Sequence, residues 1–210
     1  MIKRVFSILT VSFLAAGAVY AQDLRTLFTD MPDSIMPALT KSERMDFLDY
    51  MDSGMRARVR NKLDGESVMT AYSDNSLTIM TSQSGRLEMV LLPRKKGKDL
   101  ICIIKTVSAR YDDSRLAFYD TDWTPVDANS LIELPQFDDY LTKAALKNDS
   151  LDVLRKMSLL RLQSAKAIGN TLEFRYTSLD YIGEDADRYK SWFKADPIIY
   201  IWNGKRFKRK

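Results

Sequence analysis

The sequence contains no histidine and a single cysteine in 210 residues. The first absence excludes catalytic triads built on imidazole, His-ligated zinc or haem, and any histidine pH switch. The second excludes an internal disulfide framework, a Cys-based zinc site and an iron–sulfur cluster. No G-x-S-x-G elbow, phosphate-binding loop or dinucleotide fingerprint occurs. There is no low-complexity tract and no solenoid repeat. Charge of one sign is also missing. Lys and Arg number 32 against 28 Asp and Glu, which argues against the broad positive field of a nucleic-acid binder. What is present is ordinary globular composition, 45% hydrophobic and 29% charged.

The opening segment reads as a secretory signal. Lys3 and Arg4 precede an uncharged run from Val5 to Val19, and Val19-Tyr20-Ala21 suits signal peptidase, with cleavage after Ala21. The run is shorter than the ~20 residues that span a bilayer. No second such run follows, so the chain is expected not to span a membrane after cleavage, and to reside in the periplasm or be secreted. The basic groups at Arg56–Lys62, Arg94–Lys98 and Lys205–Lys210 read as solvated surfaces. Cys102 lies in the apolar run Leu100–Ile104, where an inert buried thiol is expected.

Residues 22–39 form a lead-in interrupted by Pro32 and Pro37. Thr40-Lys41-Ser42-Glu43 is a capping box. Met45, Leu48, Met51, Met55, Val59 and Leu63 then recur every three or four residues, which predicts one amphipathic helix stopped by Gly65. After Gly65 the period becomes two. Strands are expected at Ser67–Tyr72, Leu77–Ser82, Arg86–Leu92 and Leu100–Ser108, joined by short turns into an antiparallel meander. Leu100–Ile104 is apolar on both faces, so it belongs at the centre of the sheet with the helix covering one side. Arg115–Tyr119 is a further strand, and Leu131–Leu134 a short apolar piece. Short helices are expected at Phe137–Leu146 and Leu151–Met157, and an amphipathic one at Glu184–Lys194. Hairpins are expected around Gly169-Asn170 and around Asn203-Gly204, the latter as a type I′ turn.

These elements predict an α+β fold. A large, mostly antiparallel sheet, a meander plus hairpins, packs against an N-terminal amphipathic helix and shorter helices. Residues 22–210 are expected to form one domain. Two similar sheet lobes, 22–135 and 136–210, are the other division open.

Several stretches resemble a known family. They are Met31-Pro32-Asp33-Ser34…Met36-Pro37…Leu39-Thr40, Asp46-Phe47-Leu48-Asp49, Thr121-Asp122-Trp123, Leu134-Pro135, Thr177…Asp180-Tyr181 and Pro197–Phe207. The chain is similar there to the domain-of-unknown-function family 3256, small exported proteins of Bacteroidales. The resemblance implies a Gram-negative, host-associated source and export. It implies no reaction and no site residues.

Candidate chemistry is sparse. Ser191-Trp192-Phe193-Lys194 has the S-x-x-K spacing of penicillin-recognising enzymes but lacks the S-D-N and K-T-G companions. Asp120, Asp122 and Asp127 offer carboxylate oxygens to calcium in one loop, without the glycine and bidentate Glu of an EF-hand. Glu133 and Glu173 flank apolar strand residues, Glu173 toward solvent. Tyr119, Trp123, Trp192, Tyr200 and Trp202 lie near turns or helix ends, the aromatics suited to a protein or sugar surface. No catalytic residue, cofactor or resident metal is assigned. The expectation is an exported, non-catalytic protein that binds another protein or an envelope component such as a glycan. A carboxylate-dependent glycan hydrolase and a small-ligand carrier with a cavity between sheet and helix are the alternatives.

Overall fold

Every side chain from Leu100 to Ile104 is fully buried, and this run organises the architecture. The computed structural model describes residues 23–210, so the signal segment lies outside the described residues. The run belongs to β5 (Leu100–Ser108). Its neighbours are β4 (Gly85–Leu92) and β6 (Asp112–Asp120). Outward from these lie β3 (Ser76–Met80), β2 (Glu66–Tyr72) and β1 (Arg58–Arg60) on one side and β7 (Pro125–Val126) on the other. Among the described residues the seven form an antiparallel meander in sequence order.

Alternation along β5 sends side chains to two different layers. Ile101 and Ile103, with Leu87, Met89, Leu77 and Ile79, pack against α1 (Leu24–Thr29) and α2 (Lys41–Asp52). Leu100, Cys102 and Ile104, with Val90, Leu92 and Phe118, pack against a second sheet. That sheet contains β8 (Gln163–Ile168), β9 (Thr171–Tyr176), β10 (Ile198–Trp202) and β11 (Phe207–Arg209), in the order β11-β10-β9-β8. The result is helices, large sheet, small sheet. Each buried aliphatic side chain contributes about 1.5–3 kcal/mol, so the doubly apolar strand holds both outer layers. The fold is α+β, as expected. Cys102 is a free, buried thiol, and desolvation first, then the nearby Glu88 charge, pushes its pKa up.

A polar network interrupts the inter-sheet face where β8 meets it. The Ala165 amide donates to Ser114 Oγ at 2.8 Å, and the Ala167 amide to Glu88 Oε2 at 3.0 Å. Arg86 Nε donates to the other Glu88 oxygen at 2.9 Å, and Thr106 and Ser114 share a hydroxyl hydrogen bond at 2.8 Å. The free edge of β8 is thus satisfied by side chains of the large sheet. An unpaired edge is both an energetic cost and an aggregation hazard.

Several local expectations are corrected. The capping box is present, with Thr40 N–H on Glu43 Oε2 at 2.6 Å and Glu43 N–H on Thr40 Oγ1 at 3.2 Å. The helix nevertheless ends at Asp52, not near Leu63. Gly54 turns left-handed at φ 66°, and Arg58–Arg60 pairs with β2 as an edge strand. Met45, Met55 and Leu63 are therefore exposed, and the buried helix face is Arg44, Phe47 and Leu48. Sheet pairing overrode a methionine-rich helical period. Arg58 and Arg60 point outward from β1 and pair with Glu66 and Asp64.

The Asn203-Gly204 turn is also different. Trp202 pairs with Phe207, leaving a four-residue loop in which Gly204 has φ 85° while Asn203 uses its side chain to accept from the Lys205 and Arg206 amides. The 137–146 stretch forms two 3-10 turns, Phe137–Tyr140 and Ala145–Lys147. Leu151–Met157 is α3, as expected. The last helix shrinks to α4 (Ala186–Lys190), and Glu184 and Asp185 fall in a 3-10 segment, Leu179–Asp185, that is kinked at Gly183 with φ 74°.

Removing the Glu88 carboxylate leaves the Ala167 amide and the half-buried Arg86 without their acceptor. Such loss costs about 1–3 kcal/mol, or several degrees in Tm for a chain of this size. Thermal melts of Glu88→Ala are expected to show that drop, with the exposed Gln83→Ala unchanged.

Candidate functional site

The Met31–Leu39 segment carries two prolines and cannot hold itself by helical bonds. Arg44 holds it instead. The side chain is 2% exposed. Its Nη2 donates to Met31 O at 2.7 Å, and its Nη1 donates to Leu39 O at 2.9 Å and to Asp33 Oδ1 at 3.0 Å. Longer bonds of 3.4 Å run from Nε and Nη2 to Thr29 O. A planar guanidinium with five donors suits this converging set; an ammonium does not. Ile35 N–H on Pro32 O, Leu39 N–H on Met36 O and Lys62 N–H on Ala38 O complete the brace. Ile35, Met36 and Leu39 are buried beneath it.

The braced segment forms one wall of a groove of about 260 Å³. Ile35, Met36, Pro37 and Ala38 line that wall, and Leu87, Val107 and Lys105 lie across from it. Leu63 and Val107, 77% and 58% exposed, form its lips. This is a concave apolar surface on rigid elements, the kind of place where apolar ligand groups lodge.

The aromatics singled out in the sequence occupy three separate clusters. Tyr119 and Trp123 pack together, ring centres 5.6 Å apart, on the helix-side core. Trp123 has φ 62° and a buried indole N–H without a protein partner. Tyr200 and Trp202 are buried between the sheets, the phenol donating to Glu133 O and the indole to Pro93 O, both at 2.7 Å. Trp192 lies in a third cluster, edge-on to Tyr189 at 5.0 Å.

Asp120 accepts from the Asp122 and Thr124 amides, Asp122 pairs with Lys98, and Asp127 caps Asn129. Asp120 and Asp127 thus close turns of their own, and Asp122 is held by Lys98. Among the described residues no group of three or more His, Cys, Asp or Glu side chains is arranged to hold a metal ion. Ser191 and Lys194 are exposed, and the Lys194 ammonium donates to Asp139 O. Glu173 is half-buried.

A polar cleft of about 250 Å³ brings Glu133 and Asp139 together with Arg206 and Arg209. Burial pushes the Asp139 carboxyl up, but the Arg209 ion pair and the Gln136 amide prevail and hold it below its ordinary value. Glu133 is exposed. Burial raises the pKa of both neighbouring phenols, Tyr140 and Tyr200.

A family model described as a protein of unknown function, DUF3256, matches residues 16–207. The chain belongs to the DUF3256 family. The chain is also similar in fold to a domain of an uncharacterised protein from Porphyromonas gingivalis W83, at 24% identity and a TM-score of 0.78. That match covers 89% of this chain and 98% of the other. No curated protein matches. Among the described residues no helix is long and apolar enough to cross a membrane. The Met31–Thr40 stretch that carries much of the family resemblance is the segment clamped by Arg44.

The groove itself was not visible in the sequence. Its lining comes from four distant stretches, and Arg44 reads there as one more cation on a helix.

Arg44 first, then Lys62, holds the Asp33 carboxyl below its ordinary value. A depressed carboxyl contributes stability above the unfolded pKa near ~3.9, and that stability is lost as pH falls through the lower folded value. Asp33→Asn is therefore expected to melt below the parent at pH 7, with the gap closing below about pH 3. Melts across that range check it.

Proposed function

We propose that this DUF3256 protein is an exported, non-catalytic binding module whose groove receives an apolar group of an envelope component or partner protein. The observation that carries this reading is the apolar groove walled by a segment that a buried arginine holds in place. Rigid walls reduce the ordering cost of binding. Export is part of the proposal, resting on Lys3, Arg4 and the uncharged run before Ala21. A mature protein beginning at Gln22 supports it.

The hydrolase alternative has one observation in its favour, the cleft shared by Glu133 and Asp139. Glycoside hydrolysis needs a carboxylic acid with a raised pKa as proton donor beside an ionised partner. Asp139 is held ionised, which suits the partner. Glu133 is solvent-exposed, so the cleft does not bury a second carboxyl beside Asp139 as a sheltered proton donor. The groove is the better supported site.

A neutral solvatochromic dye such as Nile red tests the reading. Binding to the parent is expected, and Leu63→Glu with Val107→Glu is expected to weaken it at least tenfold. Both positions are exposed, so Tm stays within about 2 °C. Unchanged dye binding in that variant overturns the proposal.

A further inference from the structure

One unpaired cation lines the groove, and a second stands beside it on the next strand. On the helix-side face of the large sheet, Lys105 lies directly opposite Arg115 in the β5–β6 register. Both are exposed, and Lys105 lines the groove. Like charges placed directly opposite destabilise a sheet. Among the described residues neither takes part in an ion pair or a side-chain hydrogen bond. The carboxylate nearest in register on this face is Asp113, opposite Val107, and it pairs with neither. Arg86 also lines the groove, but its charge is already paired with Glu88. Lys62, near the far wall, is paired with Asp33.

The backbone around the groove decides what kind of anion fits. Its floor is β4 and β5, both interior strands with ladders on each side. No open edge is available there for a peptide to add as a strand. A peptide would bring N–H and C=O groups against an apolar lining without partners, which costs affinity. An alkyl chain brings no such groups. At roughly 30 Å³ per methylene-sized group, a groove of about 260 Å³ takes about nine carbons.

We propose that the groove binds a free fatty acid of medium length. The acyl chain lies along Ile35, Met36 and Leu87, and Lys105 and Arg115 hold the carboxylate. This rests on the groove being the binding face. It gives a use to an unpaired lysine in an apolar lining and to the unpaired arginine beside it.

Calorimetric titration of the purified protein with hexanoate, octanoate, decanoate and dodecanoate tests it, with 1-decanol as the uncharged control. Affinity is expected to rise about fourfold per methylene up to decanoate and then level off. Decanol is expected to bind at least tenfold more weakly than decanoate. The Lys105→Gln, Arg115→Gln double variant is expected to bring decanoate down to the level of decanol and leave decanol unchanged. Equal binding of decanol and decanoate to the parent overturns the role of the cations but leaves the groove standing. No binding of either, with Nile red still bound, overturns the fatty acid and keeps the groove. Loss of all three ligands overturns both. Binding to phosphatidylglycerol vesicles without binding of decanoate replaces the free acid with a membrane surface.

Discussion

A single buried guanidinium sets the shape of the helix-side layer. Arg44 collects the carbonyls of Thr29, Met31 and Leu39 and the carboxylate of Asp33. Burying a charge is costly unless its hydrogen bonds are filled, and here donors and acceptors meet from both sides of a proline-rich turn. Without that set, the Met31–Leu39 segment has four main-chain bonds and its apolar side chains to hold it. With it, the segment becomes a wall.

The wall bounds a groove only because of what it faces. β5 is apolar on both faces, so the large sheet is covered twice, by α1 and α2 on one side and by the small sheet on the other. The helical cover is shorter than the sheet. Past Leu87 the helix-side face continues through Lys105 and Val107, and the braced segment closes over part of it. The groove is the seam between a long sheet and a short cover. On the inter-sheet side Glu88 and Ser114 stitch the edge of β8 onto the large sheet.

Much of this fold was legible in the sequence, and the reasons differ by element. The meander was readable because strict alternation and short turns leave few other pairings. The Thr40–Glu43 box marked the helix start because capping is local chemistry. The helix end was misread because Met55, Val59 and Leu63 continue a helical period that tertiary pairing of Arg58–Arg60 with β2 overrides. The Asn203 turn was misread because the Asn side chain caps the loop itself. Nearness to turns suggests exposed aromatics, yet Tyr200 and Trp202 are buried between the sheets. The groove rests on contacts between distant residues, and Arg44 shows no local sign of burial. Only the family-like Met31–Thr40 motif pointed to that corner, without saying why.

The dependence of the groove wall on Arg44 is open to direct measurement by hydrogen exchange on Arg44→Lys. The Ile35, Leu39 and Lys62 amides, which close the wall, are expected to lose protection, while the β4 and β5 amides keep theirs. Unchanged protection at those three amides, or an equal loss across β4 and β5, contradicts the role given to Arg44.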